Sequence, residues 1–265
     1  MALDVKNPPP PYPEGHGLLR GRTVLITAAA GTGVGFSTAK RCVEEGARVF
    51  ISDMHERRLA DAAARLGSIA GNRVPYRVCD VTKEDDVRAL VAGALEAFGG
   101  QIDVLVNNAG LGGSARIVDM TDEQWHKVLD VTLTSVFRMS RAVLPHMYAR
   151  RRGVIVNNAS VLGWRAQAEQ SHYAAAKAGV MAFTRCAAIE AAEHGVRVNA
   201  VAPSIAMHEF LNKVTPPELL EELSRREAFG RPAEVFEVAN VIVFLASDLS
   251  SYMTGEVISV SSQRA

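Results

Sequence analysis

Cysteine is scarce. The 265 residues hold three, Cys42, Cys79 and Cys186, far apart and without the neighbouring ligands of a metal site. No metal and no disulfide framework are expected, and such thiols suit a reducing compartment. Net charge is also lacking: Lys and Arg number 29, Asp and Glu 29. That excludes a general attraction to nucleic acid or to an anionic membrane surface. No apolar run approaches the ~20 residues of a membrane-spanning helix; Val241 to Ala246 reads as a segment of buried helix. The N-terminus carries Asp4 and Lys6 before Pro8 to Pro11, not the apolar core of a signal peptide. These absences point to a soluble cytoplasmic protein acting on a small molecule. The length suffices for a sizeable core.

Residues 1–17 form a Pro-rich leader, either a disordered tail or an extended arm that packs on a neighbouring subunit. Residues 18–265 show no repeat and no linker and read as one domain. Thr23 to Thr27 is an apolar strand, followed by Ala28-Ala29-Ala30-Gly31-Thr32-Gly33-Val34-Gly35, a helix to Glu45, and a strand from Arg48 to Asp53. Strand, Gly-rich turn, helix and strand make a βαβ unit. Its glycines let backbone amides approach a pyrophosphate at the helix N-terminus. Asp53 stands about twenty residues on, where a carboxylate accepts from an adenosine ribose. The same carboxylate repels a 2′-phosphate, so NAD is expected over NADP. Arg57 and Arg58 soften this or are only solvated charges.

Strand and helix then alternate. Strands are expected at 73–79, 102–106, 153–158, 196–201 and 256–260. Helices are expected at 55–67, 83–98, 121–148, 171–193 and 234–247. The helix from Thr121 has that residue as N-cap and Pro145 as a kink or an end. This alternation predicts a doubly wound parallel α/β sheet with helices on both faces. Asp80 either accepts from an adenine or caps the next helix. Residues 204–229, with Met207 and Phe210, are a lid over a pocket or a surface helix.

Tyr173 and Lys177 lie four residues apart on the helix that starts at Ser171, hence on one face of it. A phenolate at neutral pH costs about 4 kcal/mol, and a fixed cation nearby lowers that cost. The pair is a device for moving a proton to or from an alcohol or ketone, and Ser160 stands thirteen residues before the tyrosine.

With the Gly-rich turn, Asp53, Asp80-Val81, Asn107-Asn108-Ala109-Gly110, Asn199 to Pro203 and Thr254-Gly255, these residues resemble the short-chain dehydrogenase/reductase family from Arg22 onward. The resemblance implies a strand order of 3-2-1-4-5-6-7 and a homo-oligomer, a tetramer or dimer. It implies Tyr173 as acid–base, with Lys177 lowering its pKa and Ser160 fixing the substrate oxygen. Thr27, Ala29, Gly31, Thr32, Gly33, Val34, Gly35, Asp53, Asp80, Val81, Asn108, Ala109, Gly110, Tyr173, Lys177, Pro203 and Ile205 would hold the cofactor. Leu111, Gly112, Trp164, Met207 and Phe210 would line an apolar pocket, with Arg165 meeting an acidic tail or only solvent.

The chain departs from the family pattern at four points. Ala28 replaces the first Gly in a turn one residue longer, and Ser204 follows Pro203. The last strand ends in Ser261-Ser262-Gln263 in place of Asp-Gly-Gly. Thr132 stands where the family places a catalytic Asn that holds a relay water. Its hydroxyl either holds that water or bonds back to its own helix. Within the family, Ala28 to Gly33, Asn157 to Arg165 and Ser261 to Ala265 resemble actinobacterial members that break down the last two steroid rings. That implies a hydroxylated methylhexahydroindanone propanoate, free or as a coenzyme A thioester. A 3-oxoacyl thioester reductase and a nucleotide-binding scaffold without turnover are the rival readings.

Overall fold

The computed structural model describes residues 7–209, 211 and 217–262. Seven parallel strands form one sheet: β1 Thr23–Ile26, β2 Arg48–Asp53, β3 Tyr76–Val78, β4 Val104–Asn107, β5 Gly153–Asn158, β6 Val196–Pro203 and β9 Val257–Val260. Their order is β3-β2-β1-β4-β5-β6-β9, the expected order with β9 as the seventh strand. Side chains alternate across the sheet. Val24 and Ile26 of β1, with Val49, Ile51, Val104 and Val106, pack under α1 (Val34–Glu44), α2 (Glu56–Ala70) and α8 (Val235–Ala246). Leu25, Phe50, Leu105 and Ile155 face the other way, onto α3 (Glu84–Phe98), α5 (Ser135–Arg150) and α6 (Ser171–Ala192). Both faces are covered, which is why the strands read as unbroken apolar runs.

The expected helix at 121–148 is really two. α4 spans Asp122–Leu129 and starts in a capping box of Thr121 and Gln124. A π-helical turn, Asp130–Thr134, follows before α5 begins. Pro145 lies inside α5, which runs on to Arg150. Gly179 has no side chain where α6 meets the π turn: a Cβ there would stand 2.7 Å from Leu133 Cδ2. α6 and the turn therefore sit close together.

Two short segments were not expected. β7 (Ala206–Met207) and β8 (Ala233–Glu234) pair in parallel as a separate ribbon. They frame the segment at 204–229, whose described helix is α7 (Pro217–Arg226). Residues 7–17 run along α1 and α8 of their own chain. Tyr12 packs edge-on against Phe236 at 5.2 Å, with the Lys40 ammonium 3.7 Å from its ring centroid. Arg41 donates to Pro13 O, and Arg231 donates to Asn7 O. Among the described residues no helix is long and apolar enough to cross a membrane.

Candidate active site

The ends of β1, β2, β4, β5 and β6 meet at the C-terminal edge of the sheet, where open parallel sheets bind ligands. The Gly-rich turn leaves β1 there. Gly31 has φ 98° and nothing within 4 Å of where a Cβ would stand. Gly35 opens α1, and a Cβ on it would collide with Ala28 O and approach Asn108 Nδ2 to 2.5 Å. Ala28 itself, in the place of the family's first Gly, takes a left-handed φ of 51°. Asp53 ends β2 beside this turn and accepts from Ala30 N at 3.2 Å and His55 N at 3.0 Å. Burial raises its pKa, against the backbone donor of Ala30 and the charge of Arg58. A carboxylate has further acceptor capacity, so two amides leave room for ribose hydroxyls. An open glycine cradle next to an acceptor of this kind fits a dinucleotide.

Asn108 ties three strand ends together. Its Nδ2 donates to Thr27 O at 3.2 Å and Ala28 O at 3.0 Å, and its Oδ1 accepts from Asn158 Nδ2 at 2.9 Å. Thr27 Oγ1 accepts from the backbone of Asn108 and Ala109. Thr27, Asn108 and Ala109 thus build the floor of the turn.

Ser160, Tyr173 and Lys177 come together on the β5 side. Ser160 hydrogen-bonds the Tyr173 hydroxyl, which lowers the phenol's pKa, yet burial dominates and pushes it up to about 12. Lys177 is buried and its pKa is brought down to about 7 by loss of solvent. Its Nζ donates to Asn158 O at 2.5 Å and lies 5.5 Å from the Tyr173 ring centroid. Desolvation therefore outweighs the Ser160 bond, and tyrosine is a neutral phenol near pH 7.

Thr132 is fully buried at the centre of the π turn. Its hydroxyl bonds across to another segment and not back to its own helix. Oγ1 accepts from Leu111 N at 3.0 Å and donates to Leu111 O at 3.1 Å. It clasps the backbone of the loop after β4. The far end of that loop is held too: Gln170 donates to Gly113 O at 2.6 Å, and Ser114 bonds Glu169. Gly112 lies against Tyr173, so the clasped loop forms one wall of the site.

The remaining expected residues divide. Val81 is buried in the core below the site. Asp80 Oδ1 accepts from the amide and hydroxyl of Thr82 in a local turn and does not cap α3, whose N-cap is Lys83 without a side-chain bond. Pro203 ends β6, and its carbonyl lies 3.5 Å from Ser160 Oγ. Ile205 O accepts from Ala233 N, and Met207 sits on β7. Trp164 is 52% exposed at the outer end of the turn that Ser160 caps. Arg165 follows it, partly buried. Phe210 lies outside the described residues. Sequence reasoning missed His208, whose ring stands 4.0 Å from where a Cβ of Gly33 would be. It also missed Asn158, where a polar residue ending a buried strand was the available signal.

The doubly wound sheet, the open glycine turn beside Asp53 and the gathered Ser, Tyr and Lys define a nicotinamide-dinucleotide oxidoreductase of Rossmann type. The chain belongs to the short-chain dehydrogenase/reductase family. Residues 28–262 match a short-chain alcohol dehydrogenase family model described as enoyl-(acyl carrier protein) reductase. The chain is 63% identical over 250 residues to the (5R,7aS)-5-hydroxy-7a-methyl-1-oxo-2,3,5,6,7,7a-hexahydro-1H-indene-carboxyl-CoA reductase of Mycobacterium tuberculosis, covering 94% of this chain and 95% of that one. It is 40% identical over 242 residues to a 3-oxoacyl-[acyl-carrier-protein] reductase of Thermotoga maritima, covering 91% and 97%. Among solved structures, a short chain dehydrogenase from Mycobacterium smegmatis superposes with a TM-score of 0.86 at 59% identity, covering 97% and 98%. The chain is an oxidoreductase of this family, acting on a CH–OH or C=O group with a nicotinamide dinucleotide.

Proposed function

We propose that the protein interconverts a secondary alcohol and a ketone on a hydroxylated methylhexahydroindanone propanoate, carried as its coenzyme A thioester, with NAD(H). The 63% identity with the mycobacterial indene-carboxyl-CoA reductase, over 250 residues and 94% of the chain, carries the substrate assignment. Asp53 at the end of β2 supports NAD over NADP, because a carboxylate there would repel a 2′-phosphate.

A nicotinamide dinucleotide held by the Gly-rich turn and Asp53 would supply the hydride donor or acceptor. Tyr173 gives or takes the proton at the substrate oxygen, and Ser160 holds that oxygen through the hydroxyl that also bonds the phenol. Lys177, fixed by Asn158 O, stands beside the phenol, where its protonated form would favour the phenolate, and would hold the nicotinamide ribose. The clasped loop with Leu111 and Gly112 forms the near wall.

Identity with the Thermotoga reductase favours a second reading, a 3-oxoacyl thioester reductase. Turnover of the hydrindane thioester, its free acid and acetoacetyl-CoA, each with NADH and with NADPH, separates the two. Faster NADPH turnover on acetoacetyl-CoA would replace the first reading by the second. We take the protein to be a cytoplasmic homo-oligomer, a tetramer or dimer. Phe137 on α5 and Ile189 on α6 are 43% and 75% exposed, which suits a helix-to-helix contact between copies. Light scattering on a sizing column tests this, and a monomer would refute it.

A further inference from the structure

We propose that Asn158 is a positioning residue that couples Lys177 to the Gly-rich turn, so that lysine and turn respond to the dinucleotide as one unit. The proposal rests on the reading that this turn binds the cofactor. A series of hydrogen bonds carries it, joined within Asn158 by that residue's own covalent frame, since the lysine bonds its main-chain carbonyl and its side-chain amide bonds Asn108. Lys177 Nζ donates to Asn158 O at 2.5 Å, and Asn158 Nδ2 donates to Asn108 Oδ1 at 2.9 Å. Asn108 Nδ2 then donates to Thr27 O at 3.2 Å and Ala28 O at 3.0 Å. Helix α6 is joined to the end of β5 through the Asn158 carbonyl, and the ends of β5, β4 and β1 are joined through two side-chain amides.

The chemistry of those amides leaves no freedom in their orientation. Both N–H groups of Asn108 are taken by carbonyls, so its Oδ1 is the atom left to face Asn158. Asn158 must therefore present its Nδ2, and its own Oδ1 is buried without a partner. A leucine would fill the same space at the end of an apolar strand and leave no unsatisfied oxygen. An amide that leaves a buried acceptor unmade is a cost to folding, so its presence is explained by the bond to Asn108. The far end of the series is Ala28, the non-glycine residue held at a left-handed φ of 51° within the turn. Gly35 leaves space for the Asn108 amide, since a Cβ there would lie 2.5 Å from Nδ2. The tie thus ends on a strained peptide that the pyrophosphate must approach. A small shift of that peptide reaches the lysine through four bonded groups, not through loose packing.

The test is a double-variant cycle on NADH affinity, read by fluorescence titration, with Asn158→Leu, Lys177→Met and the pair together. Both single variants weaken binding. The loss in the pair departs from the product of the single losses by about threefold or more, as groups in one network do. A pair whose loss equals that product, or an Asn158→Leu protein that binds NADH like the parent, overturns the proposal. Thermal melting checks the fold, and Asn158→Thr, which also lacks the amide, replaces Asn158→Leu in the cycle if the latter does not fold. Steady-state kinetics add a readout that a purely structural role does not give: KM for NADH rises while KM for the ketone stays. A rise in both would contradict the coupling. The titration needs no substrate, so it stands if the ketone is a different one. A parent protein that does not bind NADH defeats this proposal and the cofactor reading alike.

Discussion

Thr132→Val removes one hydroxyl and keeps the shape of the side chain. The structure says what that hydroxyl does: it accepts from Leu111 N at 3.0 Å and donates to Leu111 O at 3.1 Å. The valine leaves both backbone groups of Leu111 without these partners, in a place where Thr132 is fully buried. Leaving a buried amide unsatisfied costs about 1–3 kcal/mol. For a chain of this size each kcal/mol moves the melting temperature by about 2–4 °C, so the expected fall is roughly 3–10 °C. The loop wall next to Tyr173 loosens with it, so KM for the ketone rises while NADH affinity stays. Thr132→Ser keeps the clasp and should melt close to the parent. Differential scanning fluorimetry and steady-state kinetics measure both quantities. A Thr132→Val protein that melts within a degree or so of the parent, yet shows an altered solvent isotope effect on turnover, would refute the clasp and restore a proton-relay role.

Ala28→Gly should stabilise the protein. A left-handed conformation costs an L-residue roughly 1–2 kcal/mol, and glycine's extra chain entropy takes back about half of that; a lower melting temperature would contradict the strain at φ 51°. Lys177→Met should stabilise too, and in a pH-dependent way. Burial brings the folded pKa from 10.5 to about 7, so between those values the unfolded chain binds the proton more tightly. Stability of the parent therefore climbs with pH across that window, and below it the buried ammonium carries its full penalty, roughly 4–5 kcal/mol. Melting curves should place Lys177→Met further above the parent at about pH 6 than at about pH 9; a constant offset would contradict the assignment. Asp53→Ala should narrow the preference for NADH over NADPH, and fluorescence titration showing an unchanged preference would remove Asp53 from cofactor choice.

The sheet was legible because each of its buried parallel strands is a short apolar run, as in Val24-Leu25-Ile26, and each turn after it carries glycine or a capping residue. The gathering of Ser160, Tyr173 and Lys177 was legible from spacing, since residues four apart on α6 share a face and Ser160 follows the end of the adjacent strand. The π turn was not. Residues 130–134 have the apolar period of an ordinary helix, and what distinguishes them is a bond from Thr132 to Leu111, 21 residues away. The ribbon of β7 and β8 is too short to show a period. The course of residues 7–17 depends on tertiary partners, above all the buried Glu45 that accepts from the amides of His16 and Leu18. The electrostatics were hidden for a similar reason. Spacing places a cation near a phenol, but only the folded environment tells that desolvation sets the pKa of both groups.

The central claim is that Tyr173 moves the proton at a carbonyl carbon's oxygen in an NAD(H)-linked reaction. The direct test is Tyr173→Phe, followed by NADH absorbance with the hydrindane thioester as substrate, with NADH binding measured in parallel by fluorescence. The account predicts NADH affinity equal to the parent's and turnover lower by at least ~100-fold, the smaller end of what a positioned acid–base group contributes. Near-normal turnover in a protein that still binds NADH would contradict it.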